Sequence, residues 1–381
     1  APAWVEDSPR PNENGDARSP IPSIHIPPVR TVPPAKTIAI VPPPQYDVQT
    51  SQTKRTLEYR MESLRLAVED LNSTFGHAYP NGQKFLRRWE ALSLAIAARE
   101  PGTEKRFAKL RNEALLANPL LKPERMLVLK RRKGQLALPT NHQCNTSLKR
   151  RGYDNELAVL SPVRPGGRLT TLFSPPDRSY VGEMDLHFDA ERLLFTMPTE
   201  GTTWQIHEIN VDGTGLRQVS REVADVDNFD PCYLPNENIV FSSTASFTAV
   251  PCWHGEQRAC CLYVMDPSGS NVRQLCFDQD LDLHPSVLDN GQIVFSRWEY
   301  TGLLHAYVRP LMVMNPDGTG QRALYGSNSY YPNSLFFPRS VPGHPTKLAA
   351  VLAGYHGKNR MGELAILDTA VGWNGQHGIT H

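Results

Sequence analysis

One phrase occurs three times in this chain, at residues 206–219 (IHEINVDGTGLRQV), 262–275 (LYVMDPSGSNVRQL) and 311–324 (LMVMNPDGTGQRAL). Each copy is a run of alternating apolar residues, a tight turn, and a second short run ending on an apolar residue. Period-two alternation is the pattern of a half-buried strand. The glycines of Asp212-Gly213, Ser268-Gly269 and Asp317-Gly318 supply the positive φ that a hairpin turn requires. A unit recurring about every 50 residues marks a repeat architecture, and an all-β unit of this size reads as a propeller blade.

A second strand pair precedes each phrase, at residues 185–197, 230–242 and 284–297. One repeat therefore holds four strands, a to d. The pattern extends upstream, with a and b in 119–131, c in 156–160 and d in 168–173. It extends downstream through 331–352 and 363–368. The predicted fold is mainly β: a propeller of four-stranded antiparallel blades at about 118–174, 182–220, 227–276, 281–325 and 330–370. These lie in a blade region 118–371 followed by a tail, 372–381. Five blades would leave edge strands open. The expectation is a piece of a longer protein, or missing strands supplied from the N-terminal segment.

Residues 1–50 are rich in proline (Pro27-Pro28, Pro33-Pro34, Pro42–Pro44) and read as an extended tether. Residues 51–117 read as helical. Leu57, Met61, Leu64, Val68 and Leu71 make one apolar stripe, and Phe85, Trp89, Leu92 and Ile96 another, as in a small bundle packed on the propeller. Forty basic residues nearly cancel 39 acidic ones, so charge points to neither nucleic acid nor an anionic membrane as partner. No apolar run is long enough for a transmembrane helix. The chain begins at Ala1, so removal of a signal peptide and an extracytoplasmic location are expected.

Aligning the blades puts Asp185, Asp230, His284 and Tyr331 at one position of strand a, with His187, Cys232, Ser286 and Asn333 two residues on, facing the same way. The b-to-c loops add His142, Cys144, Cys252, His254, His305 and His356 to the same end. Imidazole, thiolate and carboxylate in one funnel suit a divalent metal such as zinc. The candidate ligands are Asp185, His187, Asp230, Cys232, His284, His305 and His356. The same groups equally suit the wet mouth of any propeller. Cys252 flanks a loop that returns near Cys260 and Cys261, so a disulfide with one of them is expected. Trp253, Trp298, Tyr300, Tyr307, Arg309, Tyr330 and Tyr331 suggest a protein-binding rim. Trp204, within a strand, reads as core. None of the motifs H-E-x-x-H, G-x-S-x-G or the P-loop occurs.

Longer phrases carry a resemblance. GYDNELAVLSP, MDLHFDAERLLF, DVDNFDPCYLP, RWEYTGLLH, MNPDGTGQ, YGSNSYYPNS, PGHPTK and RMGELAILD, in that order over about residues 80–370, resemble the middle domain of the hydrazine synthase alpha subunit family. More distantly the blades are similar to TolB-type repeats. The resemblance implies a propeller flanked by domains with c-type haem, in an enzyme that joins nitric oxide and ammonium. This chain has no C-x-x-C-H, so covalent haem and hydrazine synthesis are not expected of it alone. The expected role is an extracytoplasmic scaffold or binding module for other protein domains or subunits, within a larger redox protein. The alternative is a metal-dependent enzyme with its site in the channel mouth.

Overall fold

A computed structural model describes residues 56–121, 123–200, 202–251, 254–299, 308–327, 329, 331–354 and 357–380. Among these, three α-helices and five antiparallel sheets form. The helices are α1 (Leu57–Phe75), α2 (Gly82–Ala97) and α3 (Thr103–Leu116). Thr56 caps α1 by accepting the Tyr59 N–H at 3.3 Å. Asn81 and Gly102, both left-handed, turn the chain into α2 and α3. Met61, Leu64, Val68, Phe85, Leu92, Phe107 and Leu110 form one core, which shares no residue with the blade cores. Inside it Tyr79 donates its hydroxyl to the Ala114 carbonyl at 2.9 Å.

The sheets follow the chain as the blades of a β-propeller. Blade 1 holds β1 (Met126–Arg131), β2 (Asn155–Ser161) and β3 (Arg168–Phe173). Blade 2 holds β4 (Gly182–Leu186), β5 (Arg192–Pro198), β6 (Trp204–Asn210) and β7 (Arg217–Gln218). Blade 3 holds β8 (Asn228–Tyr233), β9 (Ile239–Ser243), β10 (Cys261–Met265) and β11 (Arg273–Gln274). Blade 4 holds β12 (Asp282–Val287), β13 (Ile293–Arg297), β14 (Leu311–Met314) and β15 (Arg322–Tyr325). Blade 5 holds β16 (Ser334–Val341), β17 (His344–Ala353), β18 (Gly362–Asp368) and β19 (Ile379–Thr380). Blade 1 departs from the expectation. Its predicted strand a is not a strand among the described residues, and β1 takes the place of strand b. Helix α3 runs to Leu116, which leaves little chain before Met126 for another strand.

The repeated phrase works between blades as well as within them. Gly269 has φ +78°, and a Cβ there would fall on the Val219 carbonyl oxygen of the preceding blade. Gly213 and Gly318 abut Leu172 and Leu275 of their preceding blades in the same way. One residue thus serves both the turn and the close approach of neighbouring sheets. The arginine that follows in the phrase pins the other side. Arg217 donates to the Pro267 carbonyl at 3.1 Å, and Arg273 to the Asp317 carbonyl at 2.9 Å. Between the sheets lie the apolar residues of the alternating strands, including Ile206, Phe241, Leu262, Phe295 and Met312.

Candidate functional site

Strand a of blades 2 to 5 shares one irregularity that sets the channel mouth. Each of β4, β8, β12 and β16 carries a bulge, between Gly182 and Asp185, Phe229 and Cys232, Leu283 and Ser286, and Phe336 and Arg339. The first bulged residue is left-handed in every case: Glu183 (φ 53°), Asp230 (58°), His284 (55°) and Phe337 (54°). Non-glycine residues held there each cost on the order of 1–2 kcal/mol, so the surroundings must hold them.

Neighbouring blades do so. The Asp230 N–H meets Glu183 Oε2 at 3.3 Å and Thr196 Oγ1 at 3.0 Å. The His284 N–H donates to Asp230 Oδ2, and the Tyr233 N–H to Asp185 Oδ2 at 2.9 Å. Hydroxyls at the matching place of strand b reinforce the seam, Ser242 donating to the Asp282 carbonyl (3.2 Å) and Ser296 to the Leu335 carbonyl (2.6 Å). A carboxylate of one blade thus accepts the backbone of the next, in the strongest class of neutral-to-charged hydrogen bond.

These registers correct the alignment read from sequence. Glu183, not Asp185, is the partner position of Asp230 and His284, and Phe337 takes the place assigned to Tyr331. Asp185 instead matches Cys232, Ser286 and Arg339. A usable signal was present. Proline follows the bulged residue at 231, 285 and 338, and within a sheet proline is confined to bulges and edges. Tyr331-Pro332 mimics that signal just ahead of β16.

The mouth is filled by protein. The loop between β1 and β2 crosses from blade 1 to the other four blades. Asn141 donates from N to the Lys358 carbonyl (2.8 Å) and from Nδ2 to that of Gly354 (2.7 Å), both in blade 5. Arg309 of blade 4 donates Nε to the Asn141 carbonyl at 2.9 Å. Asn145 donates to Glu183 Oε1 of blade 2 at 2.6 Å, and Cys144 Sγ reaches the Arg258 carbonyl of blade 3 at 3.4 Å. Asn141, His142, Cys144 and Asn145 are all buried. This loop is a plug.

Beneath the plug, Arg360 is 2% exposed. Its Nη2 donates to the Gln143 carbonyl, and its Nη1 lies 3.2 Å from His284 Nε2. His284 Nδ1 stands 3.0 Å from Asp230 Oδ2 without a well-directed hydrogen bond. Burial lowers the His284 pKa, and the charges of Arg360 and Arg339 add to that against the pull of Asp230. Burial alone would raise Asp230, but His284 and Arg360 win and hold its carboxyl below the usual range. Loss of water, then the Asp230 charge, raises Glu183.

The sequence candidates divide accordingly. Asp230 and His284 come together. Asp185 and Cys232 also meet, the thiol hydrogen-bonded to the carboxylate. Burial, then the Asp185 charge, raises the Cys232 thiol well above its ordinary value. His187 is elsewhere, in the turn between β4 and β5 at the far end of the strands. There it pairs with Asp189 (2.8 Å), Glu237 (3.2 Å) and Arg192 (2.9 Å). His305, His356 and Cys252 lie outside the described residues. Among the described residues no group of three or more His, Cys, Asp or Glu is arranged to hold a metal ion. Two expected rim residues are interior: Trp298 is buried, and Arg309 stacks on its ring at 4.7 Å. Trp204 is core, as expected. Glu183, Arg360 and the plug are the features that sequence reading missed.

No family model matches the chain, and no curated protein matches it. Among solved structures it is similar to Kuenenia stuttgartiensis hydrazine synthase, with 16% identity and a TM-score of 0.54, over 66% of this chain and 38% of that one. It is also similar to TolB from Acinetobacter baumannii (14% identity, TM-score 0.38, 56% and 46% of the two chains). A Mycobacterium tuberculosis puromycin-hydrolyzing peptidase matches at 12% identity and a TM-score of 0.38, over 58% and 32%. The chain thus spans well under half the length of the hydrazine synthase chain, and the likeness is one of fold: a β-propeller.

Proposed function

We propose that this chain is a plugged propeller that acts as a scaffold or binding module through its outer surfaces. The observation that carries this reading is the plug, which bonds to blades 2, 3, 4 and 5 and buries Asn141, His142 and Cys144. Catalysis in a channel needs an open position beside the reacting groups. Here the carboxylates of Glu183 and Asp230 are occupied by neighbouring N–H groups. The phrases that resemble the hydrazine synthase alpha subunit family, together with the shared propeller fold, support placing the chain in an extracytoplasmic redox assembly whose haem is held by other domains or subunits. The alternative is a metal-dependent site drawing on Asp185, Asp230, Cys232 and His284, with His305 and His356. The Arg360 guanidinium beside His284 Nε2 competes for the place such an ion would take.

Elemental analysis with an optical spectrum of the purified protein separates the two. The scaffold reading expects neither stoichiometric metal nor haem absorption. A stoichiometric metal that is lost in His284→Asn would establish the alternative. Native mass spectrometry of the protein from its own cells checks the assembly, where a lone monomer would count against it.

A further inference from the structure

The plug carries a thiol to a place where a second thiol waits. Cys144 begins the short 3-10 helix Asn145–Ser147 of the plug, and Cys260 directly precedes β10 of blade 3. Both are fully buried in one cluster with Tyr180, Trp204 and Trp298. In the structure both are free thiols, near enough that each perturbs the ionisation of the other. Cys144 Sγ also lies 3.4 Å from the carbonyl of Arg258, two residues before Cys260, so the plug thiol reaches the segment that leads into Cys260. The other described cysteines are engaged elsewhere. Cys232 meets Asp185, Cys261 faces the opposite core with Sγ 3.4 Å from the Asp278 carbonyl, and Cys276 lies 3.8 Å from Met314 Sδ.

We propose that Cys144 and Cys260 form a disulfide that fastens the plug of blade 1 to blade 3. The pairing rests on the geometry of the plug and holds whether the propeller is a scaffold or an enzyme. One of the two thiols, as its thiolate, attacks a sulfur of a small-molecule disulfide such as glutathione disulfide, forming a mixed disulfide and releasing one glutathione thiolate. The other gives up its proton and attacks the protein sulfur of that mixed disulfide, releasing the second. Two cysteine thiols lose two electrons and two protons, and one glutathione disulfide becomes two thiols. The exchange belongs to folding, before the plug seats, because both sulfurs are then closed off from solvent.

The test uses the full chain, reduced and unfolded, then refolded in a glutathione redox buffer or in excess reductant. Peptide mapping without reduction is expected to find the Cys144 and Cys260 peptides joined and two hydrogens lighter. The long loop closed by this bond should raise the thermal midpoint by roughly 5–10 °C over the reduced protein. That difference should vanish in Cys144→Ala and in Cys260→Ala alike. Folded, oxidised wild-type protein with both thiols free to alkylation on unfolding would overturn the proposal. So would Cys260 joined to Cys252. The mapping reads the wild-type chain, so it decides even where a variant fails to fold.

Discussion

The two ends of the propeller hold similar residue types in opposite conditions. At the mouth, Glu183, Asp230, His284 and Arg360 lie under the plug, and each carboxylate serves the backbone of the next blade. At the far end, His187, Asp189, Arg192 and Glu237 form an equally dense set of ion pairs in the turns. Arg192 and Glu237 there keep 34% and 53% of their side-chain surface in water. In water each charge has an alternative partner, so such pairs contribute little. Enclosed, each charge depends on its partner. Position in the fold, not composition, therefore decides which set is structural.

The strongest way to break this comparison is Arg360→Met. It leaves Asp230 and Glu183 facing each other without their cation, and is expected to destabilise the protein by about 3–5 kcal/mol in urea unfolding. A loss below about 1 kcal/mol would mean that the mouth behaves like the far end.

Asp280, in the connection from blade 3 to blade 4, sharpens the point through pH. Among the described residues neither of its carboxylate oxygens has a hydrogen-bond partner. Burial raises its pKa to about 7, against the pull of Arg309 and with help from Asp278 and Asp282. The folded state thus holds a proton that the unfolded chain releases near 3.8. This group's contribution is fully present below about pH 4 and is lost as pH rises through 7. Asp280→Asn should match wild type near pH 4 and exceed it at pH 8 by up to about 4 kcal/mol. Thermal midpoints across that range check it, and parallel curves would show that Asp280 stays ionised when folded.

The far end is itself divided by contact with the neighbouring blade. Gly269→Ala, where the new Cβ meets Val219, is expected to cost about 2–3 kcal/mol. Gly291→Ala has the same sign of φ but open space, and should cost about 1 kcal/mol. Equal losses would deny the close approach of the blades. Smallest of all, Arg192→Met should cost less than about 1 kcal/mol, and less again in molar salt. Urea midpoints at two salt concentrations measure it.

Most of the blade was legible because its signals are local. The D-G and S-G turns and the period-two alternation each act within a few residues, and they appear where the repeats placed them. The bulge was half legible. Proline marked it at Asp230 and His284, but Met184 stands in that place in blade 2, so Glu183 went unseen. His187 was misplaced for the same reason: without that mark blade 2 was aligned two residues late, so His187 took the place that belongs to Asp185.

The sequence by itself determined a repeat of four-stranded antiparallel units, the helical segment before them, and the absence of a c-type haem motif. Only the tertiary structure decided what fills the mouth. Arg360 meets the carbonyl of Gln143 across 217 residues, and Asn141 meets Gly354 across 213. Turn and strand patterns operate over a few residues and carry no information at that range. The landing site of the plug exists only once the blades have brought their strand starts around a common channel. Asp185 and Asp230 of the candidate ligand set accept backbone N–H groups of the next blade and so hold the seams.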